Sequence, residues 1–176
     1  MSIIANEEID STKLENARKI IINLQNETKI NVDRGKGPFT AAIYDDNGNL
    51  IAKSSNCVVE LKCSNEHAEM LAIMIAEEKF NNYDLSKYNL SLYVTSEPCI
   101  MCIGGIMWSG IKAVYYGVPS KRVEEITGFD EGFKPGWLEE FKKRGITVYG
   151  NIEHELGEKV LEDYVKAGKT IYKPCR

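Results

Sequence analysis

The chain has 176 residues, which suffices for one domain with a buried core but is short for two. Its formal net charge of -4 arises from interspersed acidic and basic residues, so no basic face for nucleic-acid phosphates is indicated. The sequence has neither a signal-peptide pattern nor an apolar run of membrane-spanning length, so no membrane partner is expected. The charge pattern predicts no nucleic-acid partner either. The five cysteines favour a reduced, cytoplasmic setting.

The first third of the chain predicts a helix followed by a β-hairpin. Apolar residues recur at helical spacing from Ser11 to about Asn26, with Asp10 or Ser11 as the N-cap. Two strand-like segments, GPFTAAIYD and LIAKSSN, then flank Asn47-Gly48, a pair that is typical of a type I′ hairpin turn.

The remaining chain predicts alternating helices and strands. A helix is expected from about Asn65 to Phe80, and a loop is expected at TGFDEGFKPG. The other predicted strands are LSLYVTS, KAVYYGV and ITVYG, and the other predicted helices are PCIMCIGGIMWSG opened by Pro98, a region from Pro119, WLEEFKKRG and a last helix through Val165. The β-α-β-α-β order implies right-handed crossovers and a mostly parallel sheet with helices on both faces.

Two motifs stand where predicted helices begin, NEHAEMLA at 65–72 and SEPCIMC at 96–102. Ligand sites in such sheets lie beyond the carboxyl ends of the strands, where these helices start. Cys99 and Cys102 are three residues apart in a first helical turn, whose positive dipole end favours thiolates. With His67 they could form three zinc ligands and leave a fourth tetrahedral position for water. Glu69 could then move a proton from that water to a substrate nitrogen.

Other interpretations of these motifs remain open from spacing alone. The two cysteines could form a redox pair or be buried thiols, and His67 could be a helix-cap histidine. A structural zinc site is a sharper alternative, in which Cys63 joins His67, Cys99 and Cys102 in a closed set of four ligands. That arrangement would leave Glu69 without a catalytic role.

Taken together, the motifs match the His-x-Glu and Pro-Cys-x-x-Cys signature of zinc deaminases. The chain resembles the cytidine and deoxycytidylate deaminase superfamily over most of its length. The resemblance implies an α/β fold of three layers, α/β/α, around a five-stranded mixed sheet, with residues 1–176 as a single zinc-dependent deaminase domain. It also implies a catalytic Zn²⁺ on His67, Cys99 and Cys102, Glu69 as the proton shuttle, no ligand role for Cys63, and a homodimer or larger oligomer.

Further segments resemble the guanine deaminase branch of that superfamily. GPFTAA is similar to a GPFGA segment, although Thr40 stands where glycine is usual, and GFDEG is similar to GFDD. The resemblance implies a second active-site glutamate at Glu131 and a purine contact at Asp130. It implies further substrate-binding residues at Asn56, Phe39, Ala68 and Trp108. Without the resemblance, Asn56 could be a turn residue, Asp130 a cap and Trp108 a core residue.

The chemistry of guanine agrees with these residue types. Asn56 can donate and accept hydrogen bonds, whereas ionised Asp130 and Glu131 accept them from N–H donors. Two acidic groups would repel a phosphate, and no glycine-rich phosphate loop lies near the motifs, so a nucleotide substrate is disfavoured. The sequence therefore predicts zinc-dependent hydrolytic deamination of a free nucleobase, most specifically guanine to xanthine and ammonia.

Three alternatives to this hypothesis remain, from the most to the least similar function. The first is a deaminase of cytosine, an aminated triazine or a nucleoside. A tRNA adenosine deaminase would need a basic surface, which the sequence pI of about 5.4 disfavours. A non-enzymatic zinc-stabilised binding protein would release no ammonia.

The segment around Tyr172 could cover the pocket of its own or a partner subunit, or be a frayed tail.

Overall fold

The computed structural model describes residues 4–5 and 7–172. The strands are β1 (Ile4–Ala5), β2 (Thr40–Tyr44), β3 (Leu50–Ser55), β4 (Ser91–Ser96), β5 (Ala113–Val118) and β6 (Thr147–Gly150). The helices are α1 (Ser11–Asp33), α2 (Val58–Leu61), α3 (Ala68–Phe80), α4 (Ile100–Ser109), α5 (Ser120–Thr127), α6 (Trp137–Lys143) and α7 (His154–Lys166), and a 3₁₀ turn covers Ser86–Tyr88. None of the described helices combines the length and apolar character needed to cross a membrane.

The strands form one mixed sheet in the order β1-β6-β5-β4-β2-β3. β4, β5 and β6 are parallel, whereas β2 pairs antiparallel with both β3 and β4. The expected mixed sheet of five strands, β2 to β6, is confirmed. The two-residue strand β1 extends it at the β6 edge in antiparallel orientation.

Helices cover both faces of the sheet. Successive strand residues point to opposite faces, and Tyr115 packs with Ala17 and Ile21 of α1. Its neighbour Val114 belongs to the main core, which also contains Ala72 of α3. The α/β/α layering expected from the alternating elements is therefore confirmed, and the starts of α3 and α4 lie on the same side of the sheet.

Helix α1 continues about two turns beyond the predicted end, to Asp33. Thr28 and Val32 are buried and continue the buried face of the helix at a spacing of four residues. The two candidate N-caps are resolved in favour of Asp10, whose carboxylate accepts hydrogen bonds from the backbone N–H groups of Thr12 and Lys13 at 3.0 and 2.9 Å. Apolar spacing alone missed the extension because Thr28 is polar.

The β2–β3 hairpin forms as predicted, but its turn is not type I′. That turn requires positive φ at both Asn47 and Gly48, and of these two only Gly48 has one, at 81°. The Gly48 N–H donates to the Asp45 carbonyl at 3.1 Å, and the Asp45 carboxylate accepts from the Asn47 and Asn49 N–H groups at 3.0 and 2.8 Å. These bonds stabilise a longer turn with a left-handed glycine.

Candidate active site

His67 and Cys99 each occupy the N-cap position of a helix. α3 begins at Ala68 rather than Asn65, and α4 begins at Ile100 rather than Pro98, because both cap residues have extended backbone, with ψ of 151° and 170°. Cys102 is the third residue of α4 and is buried. Two helix N-termini thus present their capping side chains to one region beyond the carboxyl end of β4.

The side chains of His67, Cys99 and Cys102 converge in a way that fits a metal ion. Their ligand atoms lie within 4.8 Å of one another, and the His67 Nδ1 is 3.5 Å from the Cys99 Sγ and 3.7 Å from the Cys102 Sγ. A tetrahedron with usual zinc bond lengths separates nitrogen and sulfur by about 3.6 Å. In the described part of the chain, Cys63 is not a member of this converging group.

The electrostatics of the two thiols also suit a cation. The pKa of Cys99 is lowered to about 4, mainly by the hydrogen bond with Cys102 and also by the hydrogen bond with His67. Burial of the thiol opposes this shift. The hydrogen bond with Cys99 and burial raise the pKa of Cys102. Without a cation the pair holds one negative charge, and a bound metal ion would stabilise both thiolates.

Two carboxyl groups are buried beside these ligands. Glu69 in α3 is 5% exposed and Glu131 in the α5–α6 loop is 7% exposed. Burial raises the pKa of Glu69. Burial first, and then the charge of Cys99, raise the pKa of Glu131 to about 8, although the charge of Lys134 opposes this shift. Buried carboxyl groups with raised pKa values are suited to general acid–base catalysis.

A cavity of about 350 Å³ connects these groups, which is within the size range of small-molecule sites. Six of the predicted site residues contribute to its lining. They are Phe39, His67, Glu69, Cys99, Asp130 and Glu131. The structure therefore brings together the residue before β2, the starts of α3 and α4 and the α5–α6 loop around one cavity.

Three other predicted substrate-binding residues lie outside the lining. Asn56 is 1% exposed and lies behind Tyr172, because its Nδ2 donates to the Tyr172 hydroxyl at 2.8 Å. Ala68 is fully buried in the core. Trp108 is 87% exposed near the carboxyl end of α4, the far end of the helix from Cys99, so the structure supports neither a pocket role nor a core role for it.

Tyr172 is the contribution that the sequence pattern left undecided. It lines the cavity, and its ring centroid lies 4.9 Å from that of Phe129 and 6.2 Å from that of His67. Tyr172 therefore packs over the pocket of the same chain in this structure, and residues 173–176 of the segment lie outside the described residues. The contact joins Tyr172 to Asn56, which is 116 residues away, and no local sequence pattern reports a contact of that separation.

Sequence reasoning also missed a set of residues around the motifs. Those that line the cavity are Ser64, Ser96, Glu97, Ile100, Met101, Phe129 and Gly132. Glu97 was within reach of the sequence, since a charged residue stands beside Pro98 in the cysteine motif. Its partner Lys134 lies beyond the GFDEG segment and was not predicted.

Comparison with known proteins gives a consistent family. The family model for the cytidine and deoxycytidylate deaminase zinc-binding region matches residues 12–118. The guanine deaminase of Bacillus subtilis is 39% identical over 97 residues, which are 55% of this chain and 60% of that protein. A tRNA-specific adenosine deaminase of Aquifex aeolicus is 40% identical over 96 residues, 54% of this chain and 62% of that protein.

A probable cytosine deaminase of Schizosaccharomyces pombe is 35% identical over 95 residues. The alignment covers 54% of this chain and 56% of that protein. The chain therefore matches less than two thirds of the length of each of these curated relatives.

The similarity to solved structures extends over more of the chain. The protein NE0047 in complex with 2,6-diaminopurine has a TM-score of 0.83 and 33% identity, covering 89% of this chain and 85% of that chain. The guanine deaminase of Nitrosomonas europaea has a TM-score of 0.80 and 32% identity, covering 92% and 87%. Since the family model spans more than half of the chain and its motif residues converge in the cavity, this protein belongs to the cytidine and deoxycytidylate deaminase family.

Proposed function

We propose that this protein is a zinc-dependent deaminase of a free nucleobase that converts guanine to xanthine and ammonia, with residues 1–176 forming one deaminase domain. The observation that carries the proposal is the pair of buried carboxyl groups, Glu69 and Glu131, in one cavity with the convergent thiols and imidazole. The similarity to a structure with bound 2,6-diaminopurine supports a purine in that cavity.

His67, Cys99 and Cys102 would hold the zinc ion. Zinc in such an open site supplies Lewis acidity, which lowers the pKa of water. Glu69 begins the same helix that His67 caps, so its carboxyl group is the proton carrier adjacent to the metal ligands. It would take one proton from the attacking water and deliver it to the ring nitrogen. It would then take the remaining proton of the added hydroxyl group and deliver it to the amino group, which leaves as ammonia.

The base would be held by polar groups at its edges and apolar groups at its faces. Asp130 and Glu131 lie in the lining, and a carboxylate at either position would accept hydrogen bonds, when ionised, from the N–H groups of the amidine-like edge of guanine. The rings of Phe39 and Phe129, with centroids 5.5 Å apart, offer aromatic surface against a planar base. Asn56 would reach a substrate when the Tyr172 hydroxyl releases its amide.

The cover formed by Tyr172 favours a small substrate over a nucleic acid. The ring of Tyr172 lies against Phe129 and near His67, so an RNA loop could enter only if this segment moved away. A tRNA deaminase also needs a basic surface for phosphates, whereas this chain has a formal net charge of -4. Its pocket is acidic as well, with Glu69, Asp130 and Glu131 in the lining.

We further propose a cytoplasmic homodimer. The free thiols of Cys99 and Cys102 must stay reduced to bind a metal ion, which a reducing compartment ensures.

The dimer is proposed from exposed aromatic residues. Trp108 and Phe133 are 87% and 86% exposed, and large exposed aromatic groups are typical of subunit contacts. Light scattering should give a dimer for the parent and a shift towards monomer for Trp108→Glu.

An ammonia-release screen tests the proposed function. The purified, zinc-loaded protein is incubated with guanine, cytosine, adenine, guanosine, cytidine and aminated triazines. We expect guanine to be turned over with the highest kcat/KM. Preference for cytosine or a triazine would move the substrate to another free base, and release of ammonia from tRNA alone would contradict the proposal.

A further inference from the structure

Lys134 and Glu97 form a buried ion pair at the edge of the cavity. Their Nζ and Oε1 atoms are 2.9 Å apart, and their side chains are only 10% and 12% exposed. The Lys134 ammonium also donates to the carbonyl of Pro98 at 2.7 Å and to the hydroxyl of Ser120. All three of its protons are therefore used, which is the condition under which a buried ammonium is tolerated.

The ion pair joins two segments that each carry a site residue. Glu97 and Pro98 directly precede Cys99, whereas Lys134 follows Glu131 by three residues in the α5–α6 loop. The second oxygen of Glu97 accepts the backbone N–H of Ser120 at 3.1 Å, so the start of α5 is tied to the same point. Lys134 is thus a clamp between the loop with Glu131 and the start of α4.

The loop also contacts α4 directly through its backbone. The Ile100 N–H donates to the Glu131 carbonyl at 3.1 Å. At Gly132, which has φ of 78°, a Cβ atom would lie 2.4 Å from the Ile100 Cγ2, so only glycine permits this approach. The backbone of Glu131 is therefore attached to the start of α4. Three residues later, Lys134 attaches the same loop to Glu97 and Pro98.

A purely stabilising ion pair would not need this location. Surface pairs such as Lys143 with Glu140 are 69% and 43% exposed and contribute little. A buried pair is also weak evidence for stability, because its desolvation offsets its attraction, and its best-attested use is to specify one arrangement of the chain. Here the specified arrangement is the position of the loop relative to the start of α4.

We propose that Lys134, through its clamp on Glu97 and Pro98, is a positioning residue that holds the Glu131 carboxyl group in its working place in the cavity. The role of Glu131 in turnover rests on the proposed function. Lys134 itself does not line the cavity. Small displacements of an acid–base group strongly reduce turnover, so removal of the Lys134 ammonium alone should reduce activity without changing any residue that lines the cavity.

The test compares three variants of the full chain after zinc loading. Lys134→Met removes the ammonium. Glu97→Gln with Lys134→Met removes both charges, so that no unpaired carboxylate stays buried if the single variant folds poorly. Lys142→Met, at an exposed position of α6, is the matched control. The readouts are zinc content, kcat/KM for guanine, and hydrogen exchange at the Ile100 amide that donates to Glu131.

We expect both clamp variants to keep their zinc, to exchange the Ile100 amide faster and to lose at least about tenfold in kcat/KM, while Lys142→Met behaves like the parent. In a Glu131→Gln background the Lys134→Met change should cost less than about twofold, since residues that act through one group are not additive. An equal loss in both backgrounds, or parent-like activity of both clamp variants, would overturn the proposal. If the parent does not turn over guanine, the proposed function fails, and unchanged Ile100 exchange would still refute the clamp.

Discussion

The two ends of the parallel strands carry different kinds of side chains. At the carboxyl ends, a cavity of about 350 Å³ collects thiols, an imidazole and buried carboxyl groups. At the amino ends, a larger groove of about 880 Å³ is lined by exposed charges and by four tyrosines. Those tyrosines, Tyr44, Tyr93, Tyr115 and Tyr149, lie side by side on β2, β4, β5 and β6 with centroid separations of 5.5, 4.6 and 5.0 Å.

The difference shows that the chemical groups lining a cavity, rather than its volume, indicate which end of the strands carries the candidate active site. The tyrosine row gains stacked and edge-to-face aromatic contacts, and among the described residues no converging ligand set lies in it. The smaller cavity instead keeps ionisable groups such as Glu131 out of water, which costs folding free energy and is typical of functional sites. Changes in the cavity should therefore affect turnover, whereas changes in the tyrosine row should affect stability.

The largest effect is expected at Glu69. General acid–base catalysis contributes about 10²–10⁴-fold in rate, so Glu69→Gln should lose at least about that factor in kcat while its zinc content stays at the parent level. Glu78→Gln, at an exposed position of the same helix, is the control. Near-parental turnover by Glu69→Gln would remove the proton-carrier role.

The metal site is tested by zinc analysis of two cysteine variants. We expect about one zinc ion per chain for the parent and for Cys63→Ala, and little zinc and no turnover for Cys99→Ala, because three convergent ligands are the minimum for such a site. The closed four-ligand alternative predicts instead that Cys63→Ala also loses the metal ion.

Base recognition is tested at Asp130. Removal of its carboxylate leaves N–H groups of the bound base unpaired, at a cost of about 1–3 kcal/mol, which corresponds to about 5- to 150-fold in kcat/KM for guanine. Asp45→Ala, at the opposite end of the sheet, should leave kcat/KM unchanged and lower only the stability of the hairpin turn. An Asp130→Ala variant as active as the parent would show that GFDEG does not report substrate choice.

A pH dependence of stability should arise at Glu131 in the metal-free protein. In the folded chain burial raises its pKa from 4.5 to about 8, so the folded state keeps a proton that the unfolded state releases between these values. This group therefore lowers the free energy of unfolding as pH rises through that window. Denaturant titrations should show Glu131→Gln gaining stability relative to the parent from about pH 5 to about pH 8, and a constant difference would contradict the assigned burial effect.

The smallest effect on function is expected in the tyrosine row. Tyr115→Leu loses stacking with Tyr93 and Tyr149, which should lower the free energy of unfolding by about 1–3 kcal/mol while kcat/KM stays within about twofold of the parent. Tyr83→Leu, at a residue that is 84% exposed, should change neither quantity. A loss of turnover by folded Tyr115→Leu would show that the two ends of the sheet are coupled.

The sequence supported the features that are encoded locally. Alternation and helical spacing gave the order of strands and helices, and the starts of α3 and α4 were recognisable because His67, Cys99 and Cys102 lie in short motifs. The same spacing rules placed helix ends and the hairpin turn less well, since the Asp45 side chain determined the turn through its own hydrogen bonds.

Features that depend on distant pairs escaped the sequence. One such pair is the hydrogen bond between Asn56 and Tyr172, and another is the ion pair between Lys134 and Glu97. In each pair the partners lie far apart in the sequence, so no short motif contains both. For Trp108 the resemblance suggested a pocket residue, and in the structure its side chain is 87% exposed near the far end of α4. Local patterns predicted the three side chains that converge, His67, Cys99 and Cys102, whereas the residues around them required the three-dimensional structure.

The most direct test of guanine deamination is the conversion of guanine by the zinc-loaded protein and by its Glu69→Gln variant, followed by chromatography of the products. We expect equal molar amounts of xanthine and ammonia from the parent and almost none from the variant. Guanine that stays intact with the zinc-loaded parent, or xanthine formed as rapidly by the variant, would contradict it.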